Sequence, residues 1–229
     1  MNRPADPDNN MIRERALLLR ELRQFFDGRD FLEVQPPCLS QDCVVDAYID
    51  PVEVASKQFR VGRDLPATYY LQTSPEAAMK RMLAAGAPSI YSIGPVFRSG
   101  ERGDLHNVEF TMLEWYDVNK ELIDGIRLLG ELVTGILGRP GYDVVTYRQL
   151  FVDALGLDPI DAELDVVRGQ VDRVDSSLSA SVGDDRDQLL DVLLAHHIQP
   201  QLGKDRPVIV TDYPLSQAAL ARRSAADPQ

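Results

Sequence analysis

The stretch from Val96 to Tyr116, VFRSGERGDLHNVEFTMLEWY, constrains the fold more than any other part of the chain. Two apolar runs with strand character flank a polar, Gly-rich loop from about Ser99 to Asn107. A plain hairpin needs only about two to five turn residues. This loop is longer, and it keeps arginine, glutamate, histidine and asparagine close to the strand ends. Such a loop is suited to gripping a charged ligand. Side chains alternate faces along a strand. One face therefore carries Phe110, Met112, Glu114 and Tyr116, and the other carries Thr111, Leu113 and Trp115. On the preceding strand Arg98 shares a face with Val96 and Gly94.

The remaining elements follow from periodicity and punctuation. Residues 1–10 read as a disordered tail. Apolar residues from Met11 to about Asp27 recur at helical spacing, with Gly28 as the stop. Asp30–Leu39 reads as a short strand broken by Pro36 and Pro37, which suit an edge or an interface. Tyr48–Phe59 and Thr68–Gln72 are candidate strands. Ser74 caps a helix that has Pro75 in its first turn and ends at Gly86. Strands are expected over Tyr91–Arg98, Glu109–Val118 and Val208–Tyr213. Helices are expected over Glu121–Leu137, Tyr147–Leu155, Glu163–Val174 and Arg186–Ile198. Regular βα alternation is missing, so the order predicts an α+β fold with a mainly antiparallel sheet and flanking helices. The Asp-rich stretch 143–205 reads as a helical insertion.

Composition narrows the function classes. Of the 229 residues 44% are hydrophobic, enough for a sizeable core. A net charge of −12 argues against a general nucleic-acid binder, though not against a local basic pocket. Cys38 and Cys43 form no disulfide framework or zinc motif and are expected to be reduced. No secretory signal and no membrane-spanning run stand out, so the chain reads as cytoplasmic. His196 and His197 are adjacent on a predicted helix and point apart; no metal ligand set is identifiable.

Several residues admit two readings. Glu114 lies inside an apolar strand, where a buried carboxylate is costly unless paired; it has either an internal partner or a cationic ligand. Arg98 suits a phosphate, whose oxygens match the guanidinium fork, or an ion pair with Glu101 or Asp104. His106 is a second phosphate contact or a loop cap. Phe110 stacks on a base or fills core. In Ser74-Pro75-Glu76 the acidic residue either neutralises a helix N-terminus or presents a carboxylate to an amine.

Taken together, these segments resemble the class II aminoacyl-tRNA synthetases. Phe97-Arg98, the loop, His106 and Phe110 look like motif 2 of that class. Gly28–Ser40, GRDFLEVQPPCLS, looks like motif 1, with Pro37 as its proline. YLQTSPEAAMKRML and HNVEFTMLEWY are similar to the lysine branch. More narrowly they resemble its short paralogues, which attach lysine-type amino acids to elongation factor P. The resemblance continues through LGLDPI, DDRDQLLDVLL and KDRPVIVTDYPLSQAALAR.

The resemblance implies that residues 11–229 form a class II catalytic domain and that the protein is a ligase. It implies ATP-dependent activation of lysine or (R)-β-lysine as an adenylate, then transfer to a lysine of elongation factor P. Arg98 matches the residue on the α-phosphate, His106 one near the outer phosphates, Asn107 an ATP contact and Phe110 the adenine platform. Many members carry an adenine-contacting glutamate two residues after the arginine; here Gly100 stands there, so either Glu101 or the loop backbone takes over that contact, and Ser99, Gly100 and Glu101 are the residues the resemblance assigns to this part of the ATP site. Ser74, Pro75 and Glu76 match the substrate-binding segment, with Glu76 on the amine. Glu114 and Tyr116 match the floor of the lysine pocket. Motif 1 implies a homodimer, with Phe25, Phe26, Val34, Pro36 and Pro37 as contacts. Mg²⁺ is implied with ligands beyond Gln229, because the family continues through motif 3; the domain is therefore expected to be incomplete. Two alternatives stand beside this reading. The chain is the catalytic piece of a lysyl-tRNA synthetase, although tRNA is the less expected partner because only about ten residues precede the motif 1 helix. Or it is a non-catalytic binding or dimerisation module, which the missing motif 3 favours.

Overall fold

A computed structural model describes residues 9–43, 49–58, 67–104, 106–218 and 220–223. The chain divides into two compact units, Met1–Gly125 and Ile126–Gln229.

The first unit is built on the hairpin of β5 (Ile90–Phe97) and β6 (Glu109–Tyr116). The two strands pair antiparallel from Ile90↔Tyr116 to Phe97↔Glu109. β1 (Leu32–Glu33) adds to β5 in parallel. Helix α1 (Asn9–Asp27) packs its C-terminal end on the face that carries Tyr91 and Trp115. Phe26 is fully buried there. It stacks on Tyr91 at 4.7 Å between ring centroids and meets Phe31 edge-on at 5.2 Å and Trp115 at 5.5 Å. Burying one such ring contributes roughly 1.5–3 kcal/mol. The Tyr91 hydroxyl, inside this core, donates to Asp27 at 2.9 Å, with Glu33 at 3.3 Å. Arg23 in turn grips the Glu33 carboxylate with Nε at 3.0 Å and Nη2 at 3.1 Å. Helix end, edge strand and central strand are thereby pinned together.

A second sheet has the order β2 (Leu39–Ser40), β4 (Thr68–Leu71), β3 (Val52–Ala55), all antiparallel. Gln72 ties it to β5: its carbonyl accepts from Phe97 N–H at 2.9 Å and its amide donates to Pro95 O at 2.9 Å. The chain then enters α2 (Glu76–Ala84). Gly86, at φ +95°, lets the helix stop. Its N–H reaches Leu83 O at 2.9 Å and Ala87 N–H reaches Met82 O at 3.1 Å, which satisfies carbonyls the helix leaves open.

The second unit takes up most of α3 (Leu122–Leu137). There β7 (Asp143–Thr146) pairs in parallel with β8 (Val208–Thr211), from Asp143↔Val208 to Thr146↔Thr211. Parallel partners require a crossover, and α4 (Tyr147–Leu155), α5 (Leu164–Val182) and α6 (Arg186–Leu193) supply it. The starts of α4 and α6 are capped by side chains. Thr146 Oγ1 accepts from Gln149 N–H at 3.2 Å, and Asp185 accepts from Gln188 N–H at 3.1 Å. Inside α5 the backbone turns extended at Asp175, whose carboxylate accepts from Ser177 N–H at 2.8 Å and restarts the helix. Tyr147, Phe151, Val167, Val171, Leu189, Leu193 and Ile198 form the core.

The expected mix of helices and sheet holds, with corrections. Most strand pairing is antiparallel, as expected, but among the described residues it is divided among three small sheets, and β1–β5 and β7–β8 are parallel. The 143–205 stretch is not purely helical, because it opens with β7. Asp30–Leu39 forms only the two-residue β1 and the start of β2, since Pro36 and Pro37 cannot donate to a ladder. Strand Tyr48–Phe59 contracts to Val52–Ala55, and Tyr48 and Phe59 lie outside the described residues. Of the expected tail, residues 1–8 lie outside them too, while Asn9 and Asn10 already belong to α1. Pro75 takes the cap position at α2 that was expected of Ser74, although the Ser74 hydroxyl still accepts from Glu76 N–H at 3.0 Å. Phe26 and Pro36 are buried in the chain's own core, which removes them as contacts to a second copy; Phe25 and Val34 are half-buried and Pro37 is exposed.

Candidate active site

The face of the hairpin turned away from α1 carries Arg98, Phe110, Glu114 and Tyr116 together, as strand alternation predicts. Tyr116 donates its hydroxyl to Glu114 Oε1 at 2.9 Å. The Ser74 hydroxyl donates to Glu114 Oε2 at 2.7 Å while accepting from the Glu76 backbone. One serine thus joins the start of α2 to Glu114 on β6. Glu114 has internal partners, and both are neutral. A hydroxyl answers one lone pair on each oxygen and none of the charge, so the carboxylate keeps its capacity for a cation. Burial, and then the neighbouring Glu114 and Glu76 carboxylates, push the Tyr116 phenol well above its ordinary value. It therefore stays a proton donor at any physiological pH. Glu76 thus lies within electrostatic reach of Tyr116, and two carboxylates act on one phenol.

Arg98 leaves the end of β5 with its backbone N–H on Val108 O at 2.9 Å. Its Nε donates to Thr73 O at 3.3 Å, its Nη1 lies 3.5 Å from Glu101, and its guanidinium sits 5.2 Å from the Phe110 ring centroid. The guanidinium is therefore oriented by a carbonyl, an exposable carboxylate and an aromatic face. Only the carboxylate is a charged partner, and at that distance it is a loose one.

The loop from Ser99 to Asn107 is anchored at its base, where Ser99 N–H donates to Asp50 O at 2.7 Å. Gly100 turns at φ +80°, a conformation that favours glycine and explains why no side chain stands there. Glu101 turns back to Arg98, as the ion-pair reading had it. His106 and Asn107 are exposed, and His106 exchanges backbone hydrogen bonds with Gly103 at 3.1 and 3.4 Å. The structure thus gathers Ser74, Glu76, Glu114, Tyr116, Arg98, Glu101 and Phe110, and leaves Ser99, Gly100, His106 and Asn107 on the rim. Pro75 is buried behind Ser74.

Three contributors escaped sequence reasoning. Thr73 orients Arg98 through a carbonyl, which no side-chain motif signals. Asp50 anchors the loop through its backbone, likewise invisible. Lys80 pairs with Glu76, and its four-residue spacing on a helix was a legible signal. Among the described residues, no cluster of three or more His, Cys, Asp or Glu side chains is placed to hold a metal ion. No helix among them is long and apolar enough to cross a membrane.

Comparison with known proteins bears on the same residues. Residues 5–229 match the family model described as tRNA synthetases class II (D, K and N). The protein named elongation factor P–(R)-beta-lysine ligase of Enterobacter sp. (strain 638) is 38% identical over 224 residues, covering 98% of this chain and 68% of that one. Proteins of the same name from Yersinia pestis (strain Pestoides F) and Yersinia pseudotuberculosis serotype O:1b (strain IP 31758) match with the same 38% identity and the same coverage.

Proposed function

The chain belongs to the class II tRNA synthetases of the D, K and N type, and from that premise we propose that it activates lysine or (R)-β-lysine with ATP and transfers it to a lysine of elongation factor P. The observation that carries this reading is the Ser74–Glu114–Tyr116 triad, an anionic floor held by two neutral hydroxyls and open to an ammonium group. The names of the similar ligases supply the acceptor and favour (R)-β-lysine as the donor. The cytoplasm, where an elongation factor works, is the proposed place of action.

In this reading Glu114 binds the side-chain ammonium and Glu76 the amine nearer the carboxylate. Phe110 carries the adenine, and Arg98 beside it reaches the α-phosphate of the same nucleotide. Ser99, Gly100, Glu101, His106 and Asn107 line the rest of the nucleotide's path. The substrate carboxylate attacks the α-phosphorus and pyrophosphate leaves. Arg98 stabilises the charge that builds on the phosphoryl oxygens, a role that needs placement and no protein nucleophile. The acceptor amine then attacks the mixed anhydride and AMP departs. Mg²⁺, when bound, neutralises phosphate charge; the described residues offer it no ligand set, and each role above belongs to the chain's own side chains. A homodimer formed through α1 and β1 completes the proposal.

Pyrophosphate exchange driven by lysine or β-lysine is the test. Arg98→Ala should abolish exchange, and Glu114→Gln should weaken the amino acid far more than ATP. Exchange that survives Arg98→Ala, or equal loss of both ligands in Glu114→Gln, overturns the assignments.

A further inference from the structure

Glu76 is already occupied. Lys80, one turn further along α2, pairs with it at 2.5 Å, and the Lys80 side chain is 45% exposed against 23% for Glu76. The pairing group is a primary alkylammonium, chemically equivalent to the substrate amine assigned to Glu76. Glu114 shows the opposite condition: among the described residues its partners are two neutral hydroxyls. Among the described residues, then, Glu76 has a cationic partner and Glu114 has only neutral ones, and that cation sits at the α2 end.

We infer that Lys80 is a built-in competitor for the substrate's backbone-side amine: it holds Glu76 in the empty protein and yields when that amine arrives. This rests on the reading of Glu76 as the amine's partner. The pair is suited to yielding. Helix pairs four residues apart with an exposed member are weak, and the lysine stem can swing its ammonium into water. Displacement also makes the site selective. An amino acid with two ammonium groups brings a cation for each carboxylate. A ligand with one terminal amine satisfies Glu114 and leaves Lys80 in place. Lys80 thus sets a threshold that a second amine must overcome.

Calorimetric titration of the whole chain with lysine and with ε-aminocaproate separates the possibilities, because ε-aminocaproate keeps the carboxylate and terminal amine and brings nothing to Glu76. Lys80→Met should tighten lysine about two- to five-fold and leave ε-aminocaproate unchanged, while Lys80→Arg keeps wild-type affinity for both. Lysine binding that is unchanged or weaker in Lys80→Met, or equal tightening of both ligands, overturns the inference. If that happens while Glu114→Gln still abolishes lysine binding, the pocket reading stands and the inference alone falls. If neither the wild type nor Lys80→Met binds lysine, both fall. A second measurement needs no variant: the Lys80 Nζ resonance of the wild type should shift on adding lysine and stay fixed on adding ε-aminocaproate. A resonance unmoved by saturating lysine overturns the inference.

Discussion

Tyr91 and Tyr116 show how one residue type serves two ends. Tyr91 donates inside the aromatic core to Asp27, and Tyr116 donates in the pocket to Glu114. Both phenols are pushed up from the ordinary value of 10.0, first by burial and then by the carboxylates they face. The sign follows directly. The folded state holds these protons more tightly than the unfolded chain does, so their contribution is fully present below pH 10 and is lost as pH rises through and beyond it. The thermal midpoint should stay level in this respect up to about pH 10 and fall above it. Tyr116→Phe should fall less steeply than wild type in melts between pH 8 and 11. An identical alkaline slope would mean that the phenol is not held as the structure has it. At this scale much of the site was legible. Alternation alone placed Phe110, Glu114 and Tyr116 on one face, because a period of two survives any detail of packing. The partners of Glu114 were not legible, since Ser74 lies forty residues away and meets it only through the fold.

Elements with strong internal periodicity matched their expected bounds closely. α4 spans Tyr147–Leu155 as predicted, and β5 and β6 lie within a residue or two of expectation. Elements defined by a partner did not announce themselves. β1 and β2 are two residues each, and β7 is a four-residue DVVT, β-branched but too short to stand out without β8 beside it. The helix expected over Glu163–Val174 ends where the break at Asp175 falls; the restart beyond it escaped, because a Ser-rich run gives no periodicity and the restart depends on one carboxylate's hydrogen bonds. Packing also decides what glycines do in α3. A methyl group on Gly130 would lie 2.2 Å from the Tyr142 ring, whereas one on Gly135 would meet nothing within 4 Å. Gly135→Ala should therefore stabilise by up to about 1 kcal/mol through helix propensity. Gly130→Ala should destabilise by about 1–3 kcal/mol, because overpacking outweighs that gain. Urea midpoints of the two variants moving in the same direction would contradict this.

For the whole molecule, the surface of the first unit bears on assembly. α1 leaves Met11, Ile12, Leu17 and Leu18 at least 40% exposed, and β1 leaves Leu32 at 54%. Spacing alone could not tell an apolar residue bound for the chain's own core from one bound for a second copy, which is why Phe26 was assigned to the wrong surface. If the proposed dimer forms here, Ile12→Glu with Leu18→Glu should convert it to monomer in sedimentation velocity without lowering the melting temperature. A dimer that survives both changes would place its interface elsewhere.

The parallel pair of β7 and β8 also has a history in time. During synthesis, Asp143–Thr146 emerges about sixty residues before the strand that completes it. At roughly 5–20 residues per second, that is a wait of about 3–12 seconds. Through that interval the nascent chain carries an unpaired edge of β-branched residues, the kind of edge that recruits another chain. Helices α4 to α6 close on local contacts as they appear, while the sheet beneath them stays open until Val208–Thr211 is made. The yield of folded protein is then a race between translation and capture, and slow codons ahead of Val208 would lengthen the exposure.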